Sequence, residues 1–527
     1  MGATSPYAVP AASGPDQPPS TPRAPVSEWV PLALMALLAA ALLVYPVRRA
    51  FANLEVSYNE GWNVYNAVAA DHHVPLYGQK YAWTTVNYPV LSFYVIAWLH
   101  RIGLTYLIAG RMLSLLSLFV SCLLVGMVVW KLTRDYRSAL FSAFFCSAVF
   151  CIAANEYIGA DDPQMFAQVF FLCGLLVYIS GPPHFSRLAL TALLFVLGGN
   201  IKHNLVEFPL AVLIDLAFVG RKRVLQYLSI STVLVGASIY FNTLVGGPFF
   251  QSALLSPRTY SLQKVIVQFF CNGFPPVPLA ILAAAVWSRA KLKDPRLNDQ
   301  RLRVLAIFFW TSLFLGSAFG GGVGVWVNTY FDLNLSISMI VGLILHQIGR
   351  GQIAKRHAWL AVGAPVALLL SFVPACLARP PLFPRAISSL AEKQNQFESE
   401  VSFLRAHPGP AFCVSLLRCY EADKPYEYDP FGSTNLIKHG KLAAAILVDR
   451  VNRGELAAVQ LCCSIDFLKK DDAFTQLVIP QMFAALEINY ELALAHPGCY
   501  IYIPKNGRAS GSNIAAALAT DDSKPRK

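Results

Sequence analysis

The sequence predicts an α-helical polytopic membrane protein with about eleven transmembrane helices and a small C-terminal α/β domain. Three observations carry that expectation. Hydrophobic residues make up 55% of the 527 and charged residues only 14%, whereas soluble domains run near 45–50% and about 25%. Long apolar runs recur from Trp29 to residue 377, many of them near the roughly 20 residues that a bilayer span needs. Residues 378–527 differ, with dense charges of both signs and short β-like runs. An ordinary soluble enzyme and a disordered chain are both excluded by this composition.

Residues 1–27 are rich in Pro, Ser and Ala and carry only Asp16 and Arg23 as charges. Such a segment cannot bury a core and is expected to be a disordered cytoplasmic tail. No short basic region precedes the first apolar run, which argues against a removed signal peptide. Spans are expected at 29–47, 106–130, 138–155, 164–180, 188–200, 205–219, 224–245, 276–288, 304–325, 333–348 and 358–377. The segment 89–99 is too short for a confident span. It is expected to lie in the interface, within a long first outer loop, 48–105.

Orientation follows from Lys and Arg. With the N-terminus inside, the inner loops carry Lys131, Arg134, Arg137, Arg187, Arg221, Lys222, Arg223, Arg289, Lys291, Lys293, Arg296, Arg301, Arg303, Arg350, Lys355 and Arg356. Fewer basic residues lie outside, although Arg48 and Arg49 oppose the trend. The net charge of +12 therefore reads as an orientation signal and not as a nucleic-acid surface. An odd number of spans places 378–527 outside the cytoplasm. Strand-like runs are expected there at 412–416, 457–461 and 500–503, with helices near 388–406 and 438–453. Of the cysteines in this domain, Cys413, Cys419, Cys462, Cys463 and Cys499, some can pair in an oxidising compartment; buried thiols are an equal reading. The chain has no C-x-x-C pair, which disfavours a zinc ribbon.

Ionisable residues at membrane boundaries are costly and mark candidate sites. The first outer loop contains Glu60 in the run Tyr58-Asn59-Glu60-Gly61-Trp62. The next outer turn, Glu156 to Pro163, contains Asp161 and Asp162. Adjacent acids here suggest a metal site, an acid/base site or helix capping; capping accounts for one acid and not for both. Lys202-His203-Asn204 sits between two short apolar runs. Lys202 either snorkels or joins Arg111 in binding a phosphate near the headgroups, with Arg258 and Lys264 as further basic groups. Gly320-Gly321-Gly322-Val323-Gly324, followed by Asn328 and Asp332, lacks the ending of a phosphate-binding P-loop. Its glycines allow close approach of a ligand or of a helix.

The order of these features resembles the GT-C membrane glycosyltransferases, in particular the bacterial branch related to protein O-mannosyltransferases and lipid A aminoarabinose transferases. The residues that carry the resemblance are the first-loop acid, Asn87-Tyr88-Pro89-Val90-Leu91, Gly110-Arg111-Met112-Leu113-Ser114, Asp161-Asp162-Pro163-Gln164 and Lys202-His203, over roughly residues 29–350. It implies a bacterial inner-membrane enzyme that takes a sugar from a polyprenyl-phosphate donor on the outer face and gives it to a glycan, lipid or protein acceptor. It implies Glu60 as catalytic base, Asp162 or Asp161 as second acid, and Lys202, Arg111 and His203 at the donor phosphate. Tyr88, Arg258, Lys264, Asn328 and Asp332 are expected acceptor or loop contacts. A divalent metal on Asp161 and Asp162 remains open in this resemblance, because some members need one and others do not. One departure stands out. Many relatives pair Asp with Glu in the first loop, whereas this chain has Asn59-Glu60. Two other functions fit the composition, a flippase for lipid-linked saccharides and a non-catalytic envelope scaffold. A flippase predicts internal repeats with paired broken helices, and none is visible in the sequence.

Overall fold

The computed structural model describes residues 29–254, 257–273, 277–293, 299–351, 360–378, 384–470 and 476–505. The tail expected at 1–27 lies outside the described residues, as do Arg296, Lys355 and Arg356 of the basic loops.

The first part of the chain is helical: α1 (Val30–Ala50), α2 (Asn59–Asp71), α3 (Leu91–Arg101), α4 (Tyr106–Thr133), α5 (Tyr136–Ala153), α6 (Gln164–Tyr178), α7 (Phe185–Gly199), α8 (Glu207–Val219), α9 (Arg221–Gly246), α10 (Leu262–Gln268), α11 (Pro278–Lys293), α12 (Gln300–Phe319), α13 (Phe331–Gly349), α14 (Leu360–Leu370) and α15 (Val373–Ala378). Local chemistry sets several starts. Thr105 accepts a hydrogen bond from the Ile108 amide (3.3 Å) at the head of α4, and Asp135 does the same for Arg137 (3.1 Å) at α5. Pro31 occupies the first turn of α1, where no amide donor is needed.

Each expected span coincides with a helix, the last with the pair α14 and α15. Among the described residues, α1, α4, α5, α9, α12 and the segment Val327–Gly349 are long and apolar enough to cross a membrane. The bent pair Leu262–Gly273 and Pro278–Lys293 would make a seventh crossing. Helices α6 and α7 are apolar but span only 15 residues each. Helix length alone thus supports six or seven crossings and leaves the number eleven open. The segment at 89–99 is α3, and it packs against α2 and α4. Phe145, Phe150, Phe171, Phe208, Phe308 and Phe331 lie in one buried core drawn from α5, α6, α8, α12 and α13. Helix α9 is the opposite case: Val233, Tyr240 and Leu244 are exposed, as expected where lipid takes the place of protein.

The C-terminal domain begins with α16 (Pro384–Arg405). It continues through β1 (Ala411–Cys413), α17 (Leu416–Glu421), α18 (Pro430–Lys438), α19 (Ala444–Asn452), β2 (Ala458–Leu461), α20 (Ile465–Leu468), α21 (Gln481–Asn489), β3 (Tyr490–His496) and β4 (Cys499–Pro504). The sheet order is β1-β2-β4-β3, with β1 and β2 parallel and the other pairs antiparallel. Two expectations change, and one strand is new. The run 412–416 forms a strand only to Cys413, because the chain turns at Val414 and Ser415 into α17. The helix expected from 438 starts at Ala444. Strand β3 was not expected at all. Its residues 491–495 alternate weakly and stay largely exposed on an outer edge, so no apolar run marks it. Cys413 and Cys419 form a disulfide, while Cys462, Cys463 and Cys499 are free.

This domain and the helical part share a core. Val64, Ala67 and Val68 of α2 and Tyr106 of α4 pack with Phe397 and Leu404 of α16 and Leu417 of α17. Gly61 is required there, since a Cβ would run into the backbone of Leu416 and Leu417. Charges reinforce the seam: Arg418 pairs with Glu400 (2.7 Å) from its own domain and with Glu55 (3.0 Å) from the segment preceding α2.

Candidate active site at the seam between the two parts

Glu60 sits in the first turn of α2 and is fully buried. Both its oxygens are occupied. Oε1 accepts from Arg111 Nε (2.7 Å) and the Asp161 amide (3.1 Å); Oε2 accepts from an Arg111 terminal nitrogen (2.7 Å) and the Val56 amide (2.7 Å). The other Arg111 donors reach the carbonyls of Ala50 (3.4 Å), Ala52 (2.7 Å) and Leu54 (2.5 Å). This bidentate pair ties α4 to the connection between α1 and α2. Arg111 has no donor left over for a ligand.

The two aspartates separate. Asp161 is buried against Gly110, whose missing Cβ makes room for its carboxyl. Burial, and then the charges of Glu60 and Asp162, push its pKa well above the usual carboxylate range. Asp162 faces the other way. Its Oδ1 meets Lys202 Nζ at 3.4 Å and caps α6 through the Gln164 amide (2.9 Å), and its Oδ2 accepts from the Asn59 side chain (3.2 Å). Lys202, in the turn after α7, is buried and lies 5.0 Å from the centre of the Tyr88 ring. Burial works against its charge, but Asp162 and Tyr88 outweigh it, so its pKa is raised and the ammonium is retained. His203 is different: burial, then Arg258 and Lys202, push its pKa down to about 4. It is neutral at pH 7 and adds no positive charge.

Lys202, Asn59 and Tyr88 open onto a cavity of about 340 Å³. Lys202 and Arg258 stand in its wall with the amide side chains of Asn59, Asn87, Asn204, Asn328 and Asn435 and the rings of Trp62 and Tyr88. Amides and aromatic faces suit a hydroxyl-rich ring; two cations suit an anion. Among the predicted residues, Tyr88, Lys202, Arg258 and Asn328 line the cavity, while Asp162 reaches it through Asn59 and Lys202. Asn328 is fixed by Gln164, which donates to its carbonyl (2.6 Å) and accepts from its amide (2.7 Å). Glu60, Arg111, Asp161, Lys264 and Asp332 are not in the wall. Lys264 donates to the Gly322 carbonyl (2.7 Å), and Asp332 is buried in α13 on the Gln168 side chain. Among the described residues, no group of three or more His, Cys, Asp or Glu side chains is arranged to hold a metal ion.

Sequence reasoning missed the C-terminal wall of the cavity: Asp429, Phe431, Gly432 and Asn435. Asp429 is buried at the N-cap of α18. Its Oδ1 accepts from the Tyr58 hydroxyl (3.2 Å) and the Phe431 amide (3.1 Å), and its Oδ2 accepts from the Thr85 hydroxyl (3.2 Å). Burial raises its pKa to about 6 against these hydrogen bonds. Phe431 lies over Gly324, the last glycine of the Gly-rich run, where φ is +78° and a side chain would strike the ring. The only sequence signal was Asp429-Pro430, which reads as a helix start.

No protein-family model matches the chain, and no curated protein matches it. Solved structures do. The crystal structure of ArnT from Cupriavidus metallidurans bound to undecaprenyl phosphate is 12% identical, with TM-score 0.55 over 91% of this chain and 98% of that one. Its apo form gives the same TM-score over 90% and 97%. The archaeal oligosaccharyltransferase AglB from Archaeoglobus fulgidus, in complex with an inhibitory peptide and a dolichol-phosphate, is 11% identical, with TM-score 0.49 over 91% and 74%. At these identities the likeness is one of architecture: the chain shares the fold of the ArnT structures, a multi-pass helical part joined to a small C-terminal domain.

Proposed function

We propose that the chain is an integral membrane glycosyltransferase that moves a sugar from a polyprenyl-phosphate donor to an acceptor hydroxyl by a single inverting displacement. The carrying observation is the cavity at the seam, lined by Lys202 and Arg258 among amide and aromatic side chains. The phosphate of the donor sits between the two cations. Negative charge grows on that phosphate as the glycosidic bond breaks, and preorganised cations stabilise it. Asp162 holds Lys202 in place. Glu60 and Arg111 act as a positioning pair for the first turn of α2, in place of the base and phosphate-ligand roles that the sequence resemblance implied. The solved structure of ArnT with undecaprenyl phosphate supports this donor class. The basic loops and the Cys413–Cys419 disulfide support an inner-membrane location with the C-terminal domain outside.

The test uses the purified full chain and undecaprenyl phosphate as probe, with binding read by native mass spectrometry. Hydrogen bonds to charged groups contribute about 1.5–3 kcal/mol, roughly ten- to a hundredfold. Lys202→Gln and Arg258→Gln should each weaken binding by that factor. Unaltered affinity in both variants would sink the phosphate assignment.

A further inference from the structure

The proposed reaction needs a group to take the proton of the acceptor hydroxyl, and among the described residues the helical part places no carboxyl in the cavity wall. Asn59 lines the cavity but carries an amide, which cannot take a proton there. Glu60 accepts four hydrogen bonds, two of them from Arg111, and is closed off from the cavity. Asp161 points at Gly110. Asp162 is held by Lys202, Asn59 and the Gln164 amide. The one carboxyl among the described residues lining the cavity is that of Asp429.

We propose that Asp429, supplied by the C-terminal domain, is the general base that receives the acceptor proton. This rests on the glycosyl-transfer reading above. The geometry fits the task. Asp429 lines the same cavity as Lys202 and Arg258, so the base and the phosphate site open onto one space. Its carboxyl is held from three directions, by Tyr58, Thr85 and the start of α18, and its orientation is fixed before substrate arrives. The groups that face it are the Tyr58 and Thr85 hydroxyls and the backbone of Phe431 and Gly432; the charged groups of the cavity wall are Lys202 and Arg258. A carboxyl with a pKa raised to about 6 is deprotonated at neutral pH and more basic than an ordinary aspartate. In the step, the acceptor oxygen forms a bond to the anomeric carbon and its proton passes to Asp429. The bond from that carbon to the phosphate oxygen breaks, and its electron pair leaves with the lipid phosphate. The proton then passes to solvent, and the carboxylate is restored.

The experiment compares two nucleophiles on the full-length membrane protein. Undecaprenyl-phosphate mannose, glucose, arabinose and 4-amino-arabinose, radiolabelled in the sugar, are supplied in turn. The acceptor is either a hydroxyl-bearing envelope extract or sodium azide. Azide has no proton to lose, so it attacks without a base. Asp429→Asn keeps both the size of the side chain and its helix-capping ability. It should lower transfer to hydroxyl acceptors by about 10²–10⁴-fold and leave formation of the glycosyl azide at the wild-type rate. Asp429→Glu should recover part of the hydroxyl reaction. Wild-type transfer by Asp429→Asn overturns the proposal, and so does an equal loss of both reactions, which would assign the residue to the fold alone. A wild-type chain that moves none of the four sugars overturns the glycosyl-transfer reading itself, and the base assignment falls with it.

Discussion

Glu60 and Asp429 differ in what surrounds them. Glu60 is neutralised by a guanidinium and saturated by amides, so its removal is a matter of stability. Breaking a buried pair by removing one partner costs about 3–5 kcal/mol. Glu60→Ala should therefore lower the melting temperature in detergent by several degrees, and undecaprenyl phosphate added as ligand should restore part of it. A variant that melts like wild type yet transfers no sugar would return Glu60 to the role of base. Asp429 predicts a pH dependence instead. Its protonated form cannot accept a proton, and its pKa is about 6. Transfer should hold above pH 7 and fall as pH drops through 6, and the residual activity of Asp429→Asn should lack that limb. Initial rates measured between pH 5 and 8 decide it.

The elements around the cavity depend on close approach at two glycines. At Gly61, α2 touches the start of α17 with no space for a side chain. Gly61→Leu should push the C-terminal domain off α2 and make the seam sensitive to proteases, measured by limited proteolysis against wild type. At Gly324, substitution by Ala adds a strained φ and displaces Phe431, next to Asp429. It should slow transfer at least tenfold while binding of undecaprenyl phosphate persists, measured on the same preparation; weaker binding with full transfer would contradict the arrangement. The helices themselves were legible in the sequence because lipid and buried core both demand apolar runs. Lys202 and Asp162 were legible because charge at the end of an apolar run is costly. Asp429 was not. Its contact with Tyr58 spans 371 positions in the chain, and Asp before Pro has an ordinary explanation as a helix cap. Glu60 was legible as an acid in the first outer loop, but its pairing with Arg111 was not, since the two lie 51 positions apart and only the fold brings them together.

At the scale of the whole molecule, the seam predicts sidedness. Under the proposed reading, the Cys413–Cys419 disulfide puts the C-terminal domain in an oxidising compartment and the basic loops lie on the other side. Alkaline phosphatase fused after the C-terminal domain should be active in a bacterial host, whereas a fusion at the junction of α8 and α9, at Gly220, should be inactive. The reverse pattern would invert the topology. The cavity is divided between two stretches of sequence: the cations come from the helical part, the carboxyl and the Asn435 amide from the C-terminal domain. Under the proposed reading, the part that grips the lipid carrier and the part that meets the acceptor are encoded in separate stretches of one chain. Recombination between paralogues at the junction near residue 380 would then exchange acceptor preference in one step while keeping the carrier.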